Sequence, residues 1–109
     1  AVRHGRDILN WLAVGAPFIL NILDDTQSDM IGHFGRGFAP NEPAFEGLEV
    51  ERPDGCAPVL SEALAYLDCR VRLRQPTGDH ELLVAEVVGG RMLNDGHPMV
   101  HVRKSGLHY

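Results

Sequence analysis

Apolar and charged side chains alternate most sharply between Leu67 and Arg74. There Leu67, Cys69, Val71 and Leu73 interleave with Asp68, Arg70, Arg72 and Arg74. A period of two marks a strand with one buried face. Pro76-Thr77-Gly78-Asp79 interrupts it as a tight turn, and His80 opens the return. Leu82 to Val88 is then almost continuously apolar and partly β-branched, which predicts a strand buried on both faces. A hairpin spanning Leu67–Val88 is therefore the expected centre of the fold.

Before the hairpin, Ile8, Leu9, Trp11 and Leu12 are spaced for one apolar helix face, predicting a helix over Arg6–Val14 with Gly15 as its stop. Pro17 cannot continue it, and Phe18–Leu23 reads as a buried strand interrupted by one amide, Asn21. A buried amide must be paired, so Asn21 is either a satisfied core or edge residue or part of a wall facing a ligand. Asp25 or Thr26 can cap a second helix, with Asp29 completing a capping box and Met30, Ile31 and Phe34 as its apolar face. Gly35-Arg36-Gly37 ends that helix. Phe45–Val50 is a short strand candidate, and Arg52-Pro53-Asp54-Gly55 is a turn by composition.

The second arm extends past Val88 to Gly89-Gly90, a bulge or bend, and continues through Arg91-Met92-Leu93. Asn94-Asp95-Gly96 is a turn, and Met99–Arg103 a last strand. The total is two helices and five or six strands with hairpin connections. That favours an antiparallel barrel or α+β fold over a parallel sheet.

With 109 residues the chain has room for one modest core. Its 44% apolar and 23% charged residues are ordinary globular composition, and the net charge of -5 argues against nucleic acid as main partner. No apolar run approaches the roughly 20 residues that cross a bilayer. Cys56 and Cys69 lack metal spacing and read as free thiols of a reducing, cytoplasmic compartment.

Six histidines raise the question of a metal site. His97 and His101 could share a strand face near His108, yet no Cys-x-x-Cys or His-Glu-x-x-His accompanies them, and scattered polar histidines are the better account. Asp79-His80 could open a nucleophilic triad, but neighbours on a strand point to opposite faces unless the turn redirects one of them. Ser61 and Ser105 have no nucleophile-elbow context, and no Gly-x-Gly-x-x-Gly marks a dinucleotide fold. Arg3, His4 and Arg6 surround an expected helix N-terminus, where a phosphate is favoured; a solvated basic turn accounts for them equally well. The tail, with Arg103, Lys104 and Tyr109, can likewise hold a nucleotide or simply be exposed.

Several stretches resemble one family in order and approximate spacing. They are Pro17-Phe18-Ile19-Leu20-Asn21-Ile22-Leu23, Ala57-Pro58-Val59-Leu60, Ala63–Cys69, and Gly78-Asp79-His80 followed by Leu83-Val84-Ala85-Glu86-Val87. Together they resemble the flavin reductase-like, FMN-binding split-barrel family. His33-Phe34 with Arg36, Phe38 and Pro40, and the ending His101–Tyr109, are similar to the C-terminal reductase module of cyanobacterial diflavin (flavodiiron-type) flavoproteins. Val102 stands where that module has a second histidine. The family's N-terminal strands, with an S-x-x-P-P-like flavin loop, precede the point matching Ala1, so the chain resembles roughly the C-terminal two-thirds of the domain.

The resemblance implies a mostly β fold with two helices, an antiparallel FMN-binding split barrel forming a homodimer with FMN near the interface. It implies hydride transfer from NADH or NADPH to FMN, feeding diiron and flavodoxin-like domains of the same chain that reduce dioxygen. Carried onto this sequence, Arg6 is expected at the flavin phosphate, and Phe18 and Asn21 at the isoalloxazine wall. Gly78, Asp79 and His80 form the nicotinamide turn, and Arg103 with Tyr109 closes over the nucleotide. No side chain is expected to act as acid or base, because the hydride chemistry belongs to the cofactors. The competing expectation is a non-catalytic split-barrel module for dimerisation or ligand binding.

Overall fold

In a computed structural model, described over residues 1–39, 41–53 and 57–100, the hairpin is the largest feature of the chain. β1 (Val2–Arg3), β2 (Pro17–Ile22), β5 (Ala65–Thr77) and β6 (His80–Met92) form one antiparallel sheet in the order β1-β6-β5-β2. β3 (Val50–Glu51) and β4 (Val59–Leu60) make a separate two-stranded ribbon. The result is a curled antiparallel half-barrel carrying one α-helix, α1 (Ser28–Gly35).

The expected first helix is corrected to a single 3₁₀ segment, Asp7–Trp11. Arg6 precedes it in an extended conformation without a side-chain cap, and Gly15 at φ +90° turns the chain into β2. Gly15 N–H donates to the Val71 carbonyl at 2.7 Å and Val71 N–H to the Ala16 carbonyl at 3.0 Å, so β5 takes up the chain at the expected stop, and Arg74 of β5 occupies the Leu9 and Leu12 carbonyls within the expected helix. Sheet pairing wins over local helix propensity. The second helix forms, but Gln27 precedes it and the expected capping box does not close. Thr26 instead bonds the Asp24 carboxylate through both its N–H and its hydroxyl, and Gln27 Oε1 accepts from Asp24 N–H at 2.9 Å. The two Thr26 bonds hold the Asp24 carboxyl below the usual carboxylate range, the hydroxyl contributing most. Strand pairing is absent from Phe45–Glu49, leaving only Val50 of that expected strand.

The first arm starts earlier than the pattern suggests, the second runs past Gly89-Gly90 to Met92 as expected, and their faces are reset by two irregularities. The register shifts between Asp68 and Cys69 and again between Val71 and Leu73. Cys69 and Val71 pair with Val87 and Ala85, and both are buried on one face. An extra residue, Arg72, then moves Leu73 opposite Val84 and Arg74 opposite Leu83. A one-residue slip exchanges the faces of a strand. Leu73, expected inside, is therefore 49% exposed, while Arg74, expected outside, turns inward. Nor is β6 buried on both faces, since Leu82, Val84, Val87 and Val88 are exposed.

The core is small and lies where β4 and the following turn meet β5. Val59, Ala63 and Val71 are fully buried, with Leu60, Leu64, Ala65 and Cys69 nearly so. Full burial of a valine or leucine contributes about 1.5–3 kcal/mol. Asn21 joins the two sheets: its side-chain amide donates to the Pro58 carbonyl at 3.3 Å, and its oxygen accepts from Leu60 N–H at 2.9 Å. Beyond β6, the backbone folds back so that Asp24 bridges Pro98 and Met99 N–H reaches the Leu23 carbonyl at 2.9 Å. The described part of the expected last strand, Met99 and Val100, is irregular, and Arg103 lies outside the described residues.

Candidate functional site

Thr77 pairs with His80, leaving Gly78 and Asp79 as the two residues of the turn. Gly78 has φ +64°, a left-handed conformation that glycine adopts without strain. The turn lifts Asp79 out of the alternation, which decides the question the sequence left open. Asp79 Oδ1 lies 2.7 Å from His80 Nδ1, so neighbours that would diverge on a flat strand are paired here. That hydrogen bond is the main reason the Asp79 carboxyl sits below its ordinary value. Asp79 is otherwise open to solvent, and its carbonyl accepts from His4 N–H at 2.9 Å. Arg3 pairs with His80 in the ladder, so the residues leading to Arg6 are fastened to the hairpin tip.

Arg74 supports the same end of the sheet from below. Its Nε meets Glu81 Oε1 at 2.8 Å, and its Nη1 reaches the Leu9 carbonyl at 2.8 Å and the Leu12 carbonyl at 3.2 Å. One guanidinium thus ties β5 to β6 and satisfies the Leu9 and Leu12 carbonyls at the end of the 3₁₀ segment. The bond from Arg74 holds Glu81 below the usual glutamate range, and Glu81 in turn raises Arg74. Sequence alternation assigned Arg74 to solvent; only the bulge at Arg72 reveals its inward role.

Arg6 is exposed at the border of two recesses. The anion site expected at a helix N-terminus is not formed, because five residues of 3₁₀ turn carry little dipole; what remains is the guanidinium itself. The larger recess, about 810 Å³, is lined by Arg6, Trp11, Phe34, Phe38, Phe45 and Arg52 among others. Its aromatic wall is packed internally. The Phe34 ring stands 5.4 Å from Phe45, and the Arg36 guanidinium lies 4.7 Å over Phe38. His33 Nε2 is 2.7 Å from the Ala44 carbonyl, closing the loop under the wall. Trp11 and Phe45 were read only as core and strand residues.

Phe18 and Asn21 lie elsewhere on the sheet. Phe18 pairs with Cys69, and Asn21 with Tyr66. Along β5 these positions lie about 26 and about 36 Å of strand from Thr77, at roughly 3.3 Å per residue. The hairpin tip and Arg6 are therefore gathered at one end, while Phe18 and Asn21 occupy the other. Arg103 and Tyr109 lie outside the described residues, as do His101, His108 and Cys56. Among the described residues, no three His, Cys, Asp or Glu side chains gather as a metal site. Cys69 is a free buried thiol, its pKa raised mainly by desolvation.

The curled antiparallel half-barrel, built on a glycine-turned hairpin, defines the class as a split-barrel-type domain. Residues 1–106 match the family model described as flavin reductase like domain, and the chain belongs to that family. A protein of Synechocystis sp. named as a diflavin flavoprotein is 42% identical over 110 residues, covering 100% of this chain and 18% of the relative. A Nostoc sp. protein with the same type of name is 39% identical over 111 residues, covering 100% and 20%. The chain thus spans about a fifth of the length of these relatives. The solved NADH:FAD oxidoreductase SgcE6 of Streptomyces globisporus superposes with a TM-score of 0.74 at 22% identity, covering 84% of this chain and 55% of that one. That likeness establishes the fold, and the family match places the chain among flavin reductase like domains.

Proposed function

We propose that this domain carries out NAD(P)H-dependent reduction of FMN, the hairpin tip receiving the nicotinamide and Arg6 the flavin phosphate. The observation that carries the reading is the Asp79–His80 pair, held at the mouth of a turn that is itself bonded to the segment leading into Arg6. The recess suits an aromatic phosphate ester. Its volume lies in the range of small-molecule sites, its wall is aromatic and its rim cationic. FMN, when bound, supplies the hydride acceptor.

The residues of this chain bind and orient. With Asp79 Oδ1 on Nδ1, the His80 ring is held in place and Nε2 is the ring nitrogen left to meet the carboxamide of nicotinamide. Arg74 and Glu81 hold the strands beneath the tip in register. Asn21 uses its amide on Pro58 and Leu60, so its part in a flavin wall is to place β2 and β4. Arg103 and Tyr109 remain the proposed cover of the nucleotide.

The length of strand between Phe18 and the tip supports a homodimer, in which the tip of one copy and the β2 wall of another serve one nucleotide pair. Electron delivery to diiron and flavodoxin-like domains of a longer chain is part of this proposal; the relatives' diflavin names and roughly fivefold length are in keeping with a second flavin domain. The free Cys69 thiol is in keeping with a cytoplasmic setting, and no described helix is long and apolar enough to cross a membrane.

The test is steady-state oxidation of NADH and of NADPH with added FMN. His80→Ala is expected to raise the KM for the nicotinamide nucleotide about tenfold or more while kcat changes less, the signature of a positioning residue. Equal loss of kcat and kcat/KM with unchanged KM would assign His80 a chemical role instead. A colourless protein that neither binds FMN nor oxidises either nucleotide would favour the non-catalytic scaffold.

A further inference from the structure

A third recess, of about 560 Å³, shares no lining residue with the two beside Arg6. It opens between the start of α1 and the end of the β3–β4 ribbon, where Ser61 N–H donates to the Glu49 carbonyl at 3.1 Å. Its floor is apolar, with Met30 and Leu48 half-buried and Leu60 buried. Its rim is acidic, with Asp29, Glu49 and Glu62 all exposed. Elsewhere Glu51, Asp68, Glu81 and Glu86 each hold an arginine at 3.0 Å or less. Among the described residues none of the three rim carboxylates has such a partner, and no lysine or arginine lines the recess.

Acidic side chains alone would say only that a cation is favoured, and Gln27 says more. Gln27 lines the recess and is 8% exposed. Its Oε1 accepts from Asp24 N–H at 2.9 Å, which fixes which end of the amide is the oxygen. Its Nε2 donates to no group among the described residues. No side-chain nitrogen or oxygen closed off from solvent lacks a partner there, so Nε2 keeps its opening to the recess. A buried donor of this kind calls for an acceptor. With Gln27 spent on Asp24, α1 also begins without a side-chain cap, leaving backbone donors in its first turn.

Hydrogen-bond donors at the base and carboxylates at the rim select among ligands. Among the described residues no three acidic, histidine or cysteine groups gather to hold a metal ion. An anion would meet the three rim charges, and a polyamine offers Gln27 no acceptor. A peptide offers both parts: a neutral carbonyl for Gln27 Nε2, and a lysine or arginine whose head meets the rim while its stem covers Met30, Leu48 and Leu60. We propose that this recess binds an extended, lysine- or arginine-bearing peptide segment of a partner protein. The inference goes beyond flavin reduction and stands whether or not the domain carries that activity, because no residue of the proposed nucleotide site lines the recess.

The test is titration of the protein with an acetylated, amidated Lys-Ala-Lys-Ala-Lys peptide at low salt, followed by backbone amide NMR shifts. Saturable shifts centred on Gln27, Met30, Leu48 and Glu62 are expected, weakening as salt is raised. Glu49→Gln combined with Glu62→Gln should weaken the peptide about tenfold or more. Gln27→Glu keeps the acceptor for Asp24 N–H and removes the donor, so it should weaken the peptide while tightening spermine, the probe that has charge but no carbonyl. Absence of peptide binding, shifts centred on other residues, or unchanged affinity in the double variant overturns the proposal. Tightening of both probes by Gln27→Glu also overturns it, reducing the recess to a general cation-attracting surface. The double variant uses exposed side chains, so it remains informative if Gln27→Glu disturbs folding.

Discussion

Replacing Asn21 by leucine removes the tie between the two sheets without changing side-chain size appreciably. Two bonds are lost, the donation to Pro58 at 3.3 Å and the acceptance from Leu60 N–H at 2.9 Å. The N–H of Leu60 matters more. Leu60 is 5% exposed, so its amide is left with no partner in a site that water enters poorly. An orphaned buried donor costs about 1–3 kcal/mol, and the longer bond adds less than about 1 kcal/mol. The added apolar surface of leucine recovers little, because Asn21 is only half-buried. A net loss of about 2–3 kcal/mol follows, which lowers the melting temperature of a domain this size by roughly 10–15 °C. Thermal denaturation followed by circular dichroism reads this directly. A melting temperature within about 2 °C of the parent, together with a large fall in FMN affinity, would refute the reasoning and make the Asn21 amide a ligand contact.

Other expectations follow from the same geometry. Glu81 has a folded pKa below its ordinary value because of Arg74, so its contribution is present above the usual glutamate range and drains away as pH falls through the depressed value. Urea midpoints should therefore drop below roughly pH 4.5, and Glu81→Gln should flatten that acid limb while leaving the neutral-pH slope alone. A Cβ at Gly90 would stand 2.5 Å from the Tyr66 carbonyl oxygen at φ +151°, so Gly90→Ala should cost about 2–4 kcal/mol by chemical denaturation. Gly89→Ala meets nothing nearer than Asp68 Cβ at 3.7 Å and should stay within about 1 kcal/mol of the parent. Equal effects at the two glycines would mean that the bend at this point is misplaced.

How much of this was legible in the sequence depended on the range of the interaction that decides it. The Leu67–Val88 hairpin and its turn are local and were readable from period and composition. So was the glycine needed at the tip. The Arg6–Val14 helix is shortened to Asp7–Trp11, with Arg74 of β5 on the Leu9 and Leu12 carbonyls, contacts across 65 and 62 residues that no window along the chain contains. The face of Leu73 failed through one inserted residue, since a bulge leaves the apolar pattern intact while exchanging its sides. Asn21 was read with both alternatives open, and the structure shows its amide satisfied by β4 and the residue preceding it. In the candidate site, Asp79-His80 was found as a dipeptide, but its pairing depends on where the turn residue ends and the strand begins. Arg74 and the aromatic recess were invisible because they assemble from segments far apart in sequence.

Flavin bleaching tests the central claim most directly. The protein is loaded with FMN under anaerobic conditions, mixed rapidly with NADH or NADPH, and followed by the visible absorbance of the oxidised flavin. The account predicts loss of that absorbance with at least one of the two nucleotides, slowed at subsaturating nucleotide by His80→Ala and weakened in its FMN dependence by Arg6→Ala. Bound FMN that keeps its oxidised spectrum with both nucleotides in excess would contradict the account.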